Sequence, residues 1–197
     1  MEYIKADWLS FDPRHEMGKI FAEGFYQWLK HFSKDKDRLA AAFAHIFDLN
    51  VFYLAVINGK IAAITACTAS KPPAIQLDKK ILIKELGVIS GRLAYTMLKK
   101  YVVEHSYPFE LPAEAGSVEF VATAVEHRGK GAAYGLIGHI MAIMPYKEYI
   151  LEVVGSNTAA IRLYEKLGFT EFTRTKAPKG SGEEYYLYMK KTVDTEG

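Results

Sequence analysis

After Asp12-Pro13, apolar residues recur at three- and four-residue steps: Met17, Ile20, Phe21, Phe25, Trp28, Leu29 and Phe32. That period predicts a helix with one buried face, and Asp-Pro is a frequent helix start. A polar break at 33–37 precedes Leu39, Phe43, Ile46 and Phe47, which predict a second, shorter helix. The pattern then changes to continuous apolar runs. Val51–Ile57 reads as a strand, Asn58-Gly59 as the favoured two-residue hairpin turn, and Lys60–Ala69 as the returning strand, ended by Lys71-Pro72-Pro73.

Residues 74–116 give weaker signals. Asp78–Leu86 and Ser90–Glu104 predict helices, the second with Leu93, Met97 and Tyr101 on one face, and Pro108, Pro112 and Gly116 close the segment. Ser117–Thr123 predicts a strand, and a glycine-bearing turn at 128–131 leads into an apolar helix that reaches about Met144. Tyr149–Val154 is another strand. Asn157–Leu167 is a helix, with Ser156 or Asn157 as its N-cap and Gly168 as its stop. Phe169–Thr175 and Glu184–Lys190 form a last strand pair, joined by Lys176–Gly182, whose composition predicts a mobile loop. Strands alternating with helices make this an α/β or α+β sheet protein.

The 197 residues suffice for one well-cored domain spanning 1–197 and not for two ordinary ones. No run of about eighteen apolar residues predicts a membrane span. No basic stretch followed by an apolar run opens the chain, so no signal peptide is expected. The single cysteine, Cys67, excludes an internal disulfide and suits a reducing cytoplasm. It lies in the apolar run Ile61–Thr68 and reads as a small core residue rather than a nucleophile. The net charge of +2 is spread without a basic face, so neither nucleic acid nor membrane is an expected partner. The six histidines are scattered with no metal-ligand spacing, so no metal is expected.

The strongest chemical signal is the strand–turn–helix from Val118 to Met144. A helix N-terminus presents backbone N–H groups that lack internal partners, and its dipole places about half a positive charge there. Phosphate fits such an end if side chains leave the backbone open. Gly129 and Gly131 remove side chains, Arg128 and Lys130 add positive charge, and Ala132 and Ala133 keep the first turn small. An ordinary solvated turn would use similar residues. Gly135 and Gly138, each costing roughly 1 kcal/mol inside a helix, favour close approach by another backbone or a ligand. The P-loop pattern is absent, and Gly129-x-Gly131 lacks the third glycine of a dinucleotide fingerprint.

Val121-Ala122-Thr123-Ala124-Val125-Glu126-His127-Arg128-Gly129-Lys130-Gly131-Ala132-Ala133 resembles motif A of the GNAT acetyltransferases. That motif follows an apolar strand with Gln or Arg, then Gly three residues on, then Gly or Ala, matched by Arg128, Gly131 and Ala133. The block from Asn157 through Ala160 and Leu163-Tyr164-Glu165-Lys166-Leu167-Gly168-Phe169 is similar to motif B. The close match covers about residues 117–172.

The resemblance implies the GNAT acyl-CoA N-acyltransferase fold. This has a central mixed, mostly antiparallel sheet, splayed between its two central strands, with helices on both faces. It implies acetyl-CoA as co-substrate, bound between the 117–123 and 149–154 strands. Val121, Ala122 and Thr123 would pair with the pantetheine arm. A backbone N–H near Val121 would face the thioester oxygen. The N–H groups of Arg128, Gly129, Lys130, Gly131, Ala132 and Ala133 would hold the pyrophosphate. Asn157 would contact the cofactor arm or cap its helix, or both.

Tyr164 is the implied general acid for the departing thiolate, against a plain core tyrosine. Glu119 is the candidate base that takes the amine's proton, because strand alternation puts it on one face with Val121 and Thr123. His127 is a weaker candidate relay, and Glu126 is read as solvated. The reaction would be direct attack of a primary amine through a tetrahedral intermediate. The acceptor would be a small-molecule, peptide or protein amine, and a homodimer is compatible with the family.

A family member usually joins its third and fourth strands by a short turn. Here about forty residues intervene, expected as a helical insertion at about 70–116 that covers or shapes the acceptor side of the cleft, forms a dimer face, or is simple padding. Tyr95, Tyr101 and Tyr107 are candidates to line a pocket there. Two other readings stay open: a non-catalytic acyl-CoA-binding module, and an enzyme of this fold that uses a longer acyl chain or an oxygen acceptor.

Overall fold

A computed structural model describes residues 1–69, 73–104, 107–178 and 181–193. Among these, seven strands form one sheet in the order β1-β2-β3-β4-β5-β7-β6. The strands are β1 (Glu2–Lys5), β2 (Phe52–Ile57), β3 (Lys60–Thr68), β4 (Ala115–Thr123), β5 (Glu148–Val154), β6 (Thr170–Lys176) and β7 (Tyr185–Thr192). All neighbours are antiparallel except β4 and β5, which run parallel. The hairpin turn is as the sequence predicts, with Asn58 at φ 51 and Gly59 at φ 74. The edge strand β1 has no forecast in the sequence, because four residues are too few to show a period.

The first predicted helix is two: α1 (Arg14–Gly24) and α2 (Tyr26–Leu29), broken at Phe25. Next comes α3 (Lys36–Phe43), capped by the Asp35 side chain, which accepts from the Arg38 N–H. In the insertion, α4 (Lys79–Leu86) is capped by Asp78, which accepts from Lys80 and Ile81, and α5 (Val88–Leu98) runs into a π-helical stretch at Lys99–Val103. On the other side of the sheet lie α6 (Ala132–Ile143) and α7 (Thr158–Lys166). Of the predicted features, Ser70 at the start of the insertion, Lys71-Pro72 after the 60–69 strand, residues 105–106 of the insertion, and Lys179-Gly180 of the 176–182 loop lie outside the described residues.

Two apolar cores flank the sheet. One joins Phe21, Phe43, Phe52 and Leu54 to Leu82, Leu86 and Ala94 of the insertion. The other joins Tyr53, Val118, Leu136, Ile140, Leu151, Val153, Tyr164 and Phe169. The insertion therefore shares the first core, and Leu82 and Ala94 are wholly buried. The predicted face of Leu93, Met97 and Tyr101 is turned outward, with each residue 41–48% exposed. Gly135 is where a side chain would strike the Tyr3 ring of β1, so its close approach is to a side chain. Gly138 has open space beside it, so close packing is not its reason.

Candidate active site

The parallel strands β4 and β5 pair only over Ala115–Ser117 and Glu148–Ile150 among the described residues. Both run on, to Thr123 and Val154. The sheet thus opens at its centre beyond Ser117, where the described parts of β4 and β5 no longer pair with each other.

A bulge in β4 sharpens the opening. Ala66 pairs with Glu119 and Ile64 with Ala122, so Thr65 alone faces Phe120 and Val121. Phe120 takes φ 54, in the left-handed region. That conformation costs a non-glycine residue roughly 1–2 kcal/mol. The Phe120 ring offsets it by packing against Phe21, Phe25 and Phe52 at centroid distances of 6.1, 6.3 and 6.2 Å. The buried Thr65 hydroxyl donates to the Glu119 carbonyl at 2.9 Å and so satisfies an acceptor at the bulge.

The bulge corrects one expectation. Simple alternation puts Glu119 with Val121 and Thr123. The extra residue reverses the parity, and Glu119 shares a face with Ala122, whereas Val121 packs with the Val118 side. The Glu119 carboxylate accepts from Thr68 Oγ1 at 2.7 Å.

The turn after β4 is a 3-10 turn at Val125–His127 followed by Gly129 at φ 73 and Gly131 at φ 78. Gly131 is the N-cap of α6 and brings no capping side chain. The N–H of Gly135 bonds back to the Gly131 carbonyl at 2.9 Å. The amides before it in the first turn lack intrahelical acceptors by geometry. No atom lies within 4 Å of where a side chain would start at Gly129 or Gly131, so the backbone sign, not crowding, demands glycine here. Arg128 and Lys130 are exposed, and Arg128 Nε donates to the Thr123 carbonyl at 3.3 Å, tying the turn to the end of β4. Both ring nitrogens of His127 are buried and have no hydrogen-bond partner among the described residues. This end of the fold suits a phosphate group: open amides, two cations and an unsatisfied imidazole.

A cleft of about 1220 Å³ occupies the splay. It is lined by Glu119, Phe120 and Val121 of β4, Glu152, Val153 and Val154 of β5, and Asn157 and Tyr164. Phe25 and Trp28 close one side, and Tyr101–Glu104, Tyr107 and Phe109–Leu111 of the insertion form another wall. Glu119, Val121, Asn157 and Tyr164 are therefore brought together. Ala122, Thr123 and Arg128–Ala133 form a separate group at the α6 end.

Asn157 is the cap of α7, its side chain accepting from the Ala160 N–H at 3.2 Å. Tyr164 is 6% exposed, packs at 6.1 Å from Phe169, and burial pushes its phenol well above the ordinary value. A phenol so placed stays protonated and is a hydrogen-bond donor at any physiological pH. Burial, with a smaller contribution from the Glu119 charge, pushes the Cys67 thiol up to about 12, which fits its core reading and not a thiolate nucleophile.

The sequence reading passed over Thr68, Ser117 and Glu152. For Glu152 a signal existed, a lone carboxylate inside the apolar run Tyr149–Val154. Tyr107, named as a pocket candidate, shares a 2.5 Å hydrogen bond with Ser117 Oγ and stacks on Phe109 at 5.2 Å. Tyr95 is not part of the described lining, whereas Tyr101 is.

Comparison with curated proteins finds no match. Solved structures share the fold over nearly the whole chain. An N-acetyltransferase from Staphylococcus aureus Mu50 matches with a TM-score of 0.65 at 16% identity, covering 96% of this chain and 100% of that one. A GNAT-family acetyltransferase from Streptococcus agalactiae matches with a TM-score of 0.58 at 10% identity, covering 98% and 95%. A ribosomal-protein-alanine N-acetyltransferase from Brucella melitensis matches with a TM-score of 0.57 at 13% identity, covering 98% and 100%. The model of the acetyltransferase (GNAT) family matches residues 14–169, most of the chain and both motif-bearing blocks, and the chain belongs to that family.

Proposed function

We propose that this protein transfers the acetyl group of acetyl-CoA to a primary amine by direct attack. The observation that carries the reading is the open, bulged edge of β4 facing β5, with Val121 and Tyr164 in one cleft and the uncapped α6 N-terminus at its end. Backbone groups of Val121, Ala122 and Thr123 lie where an extended arm would add as a strand. The N–H groups of Gly129, Gly131, Ala132 and Ala133 receive the pyrophosphate, and those of Arg128 and Lys130, which donate to the Val125 and His127 carbonyls at 3.3 and 3.4 Å, turn to it as it binds. The unpartnered His127 nitrogens support this reading, because buried imidazole nitrogens are seldom left without a partner. Asn157 spends its oxygen on the α7 cap, which leaves its amide nitrogen as the donor for the arm.

In the reaction a C–N bond forms at the acyl carbon and the C–S bond breaks. The amine loses a proton and the sulfur gains one. Tyr164 donates to the sulfur as charge builds there, and Glu119, directly or through water, receives the amine proton. A backbone N–H at the bulge near Val121 stabilises the oxygen's developing charge. Amines at neutral pH are mostly protonated, so a carboxylate in the cleft both attracts and deprotonates them.

The test is release of free CoA from acetyl-CoA across a broad amine library, with Tyr164→Phe and Glu119→Gln alongside. Turnover with at least one amine and its loss in Tyr164→Phe are expected. Tight acetyl-CoA binding without turnover of any amine would replace the enzyme reading with a cofactor-sensing module.

A further inference from the structure

The described lining of the cleft is acidic. The chain has a formal charge of +2, yet the described lining includes Glu104, Glu110, Glu119 and Glu152 and no lysine or arginine. The four carboxylates stand at two depths. Glu119 and Glu152 are half-buried, on the facing strands β4 and β5 where the sheet parts. Glu104 and Glu110 are exposed, on the insertion that forms the outer wall.

Tyr107 lines the same cleft. Its phenol is pushed up by burial first, opposed by the Ser117 hydrogen bond, and then by the charges of Glu119 and Glu152. Both carboxylates thus act on the same ring. Much of the remaining lining is apolar or aromatic, with Trp28, Phe109 and Leu111 among it. Glu104 has Lys99 at 3.4 Å, but both side chains are more than half exposed, and such a pair leaves most of the carboxylate's field available to a ligand.

Resting on the acetyl-transfer reading above, we propose that the acceptor is an aliphatic di- or polyamine, a chain bearing a second cationic nitrogen beyond the one acetylated. The reacting amine lies by Glu119 and Glu152, the methylene chain runs along the apolar wall, and the distal ammonium is held at the rim by Glu104 and Glu110. A focused negative field in a cleft with low-dielectric walls concentrates cations and disfavours carboxylate-bearing acceptors. Aromatic faces add cation–π attraction for an ammonium passing over them.

The experiment compares butylamine, 1,4-diaminobutane, a triamine and free amino acids as acceptors in the CoA-release assay, with calorimetric binding of the triamine measured in parallel. The diamine and triamine are expected to exceed butylamine in kcat/KM by about tenfold or more, which corresponds to roughly 1.4 kcal/mol of extra binding. The double change Glu104→Gln/Glu110→Gln is expected to erase most of that ratio through KM and to weaken triamine binding. Glu114→Gln, an exposed carboxylate paired with Lys147 outside the cleft, is expected to leave the ratio as it was. Equal kcat/KM for butylamine and diamine, or preference for amino acids, overturns the proposal while leaving acetyl transfer intact. If no amine is turned over, the acetyl-transfer reading fails, and absence of triamine binding then overturns this proposal as well.

Discussion

Tyr164 shows how one side chain meets two demands. It is the buried residue of α7, packed on Phe169, and it also lines the cleft. Tyr164→Phe keeps the packing and removes the donor. The expected result is a fall in kcat of about 100-fold, within the range for general acid catalysis, with acetyl-CoA affinity little changed. Glu119→Gln removes the candidate base but keeps the Thr68 hydrogen bond, since an amide oxygen accepts as well. It is expected to lower kcat/KM most at neutral pH and less as rising pH deprotonates the free amine. A pH profile unchanged from wild type would take Glu119 out of the mechanism. Tyr164 was legible through the motif-bearing block from Asn157 to Phe169, and Glu119 through its place on the strand that leads into the other block. The face that Glu119 occupies was not legible, because the bulge turns on Phe120 at φ 54, and no glycine marks the place.

At the scale of elements, local chemistry was readable where it is punctuated. Asn58-Gly59 set the hairpin, Asp78 and Asn157 cap helices, and Gly168 at φ 87 ends α7. Elements without punctuation were missed: β1, the break between α1 and α2 at Phe25, and the π-helical stretch at Lys99–Val103. These depend on tertiary packing rather than on period or turn residues. The α6 N-terminus is the element on which the site depends. Gly131→Val places a branched residue at φ 78, which is strained, and adds bulk beside the open amides. Expected are a loss of roughly 1–2 kcal/mol in stability and a marked weakening of acetyl-CoA binding. Denaturant unfolding and calorimetry on the same variant separate the two effects. Thr65→Val removes the hydroxyl that holds the bulge carbonyl. It is expected to cost about 1 kcal/mol, the net worth of one intramolecular hydrogen bond.

For the whole molecule, the insertion is no appendage. Leu82, Leu86 and Ala94 belong to the same core as Phe43 and Phe52, so the wall of the cleft and the stability of that half rise and fall together. This was not readable from the sequence, where 70–116 looked like an added segment. Buried protonated groups also set the alkaline limit. The Cys67 thiol, ordinarily near 9.0, is pushed up to about 12 by burial, and Tyr164 and Tyr149 are raised by burial as well. Above pH 9 the unfolded chain loses protons that the folded chain keeps, so stability falls as pH rises. Each such group contributes a slope of about 1.4 kcal/mol per pH unit within its window. Urea titrations from pH 8 to 11 are expected to show this decline, and Cys67→Ala to soften it between pH 9 and 10.

The central claim is that the parted strands and the open helix end together receive acetyl-CoA. Titration calorimetry of the folded protein with acetyl-CoA tests it most directly. The account predicts saturable uptake of one molecule per chain, strongly weakened in Gly131→Val. No heat of binding from folded protein, or binding that Gly131→Val leaves untouched, would contradict it.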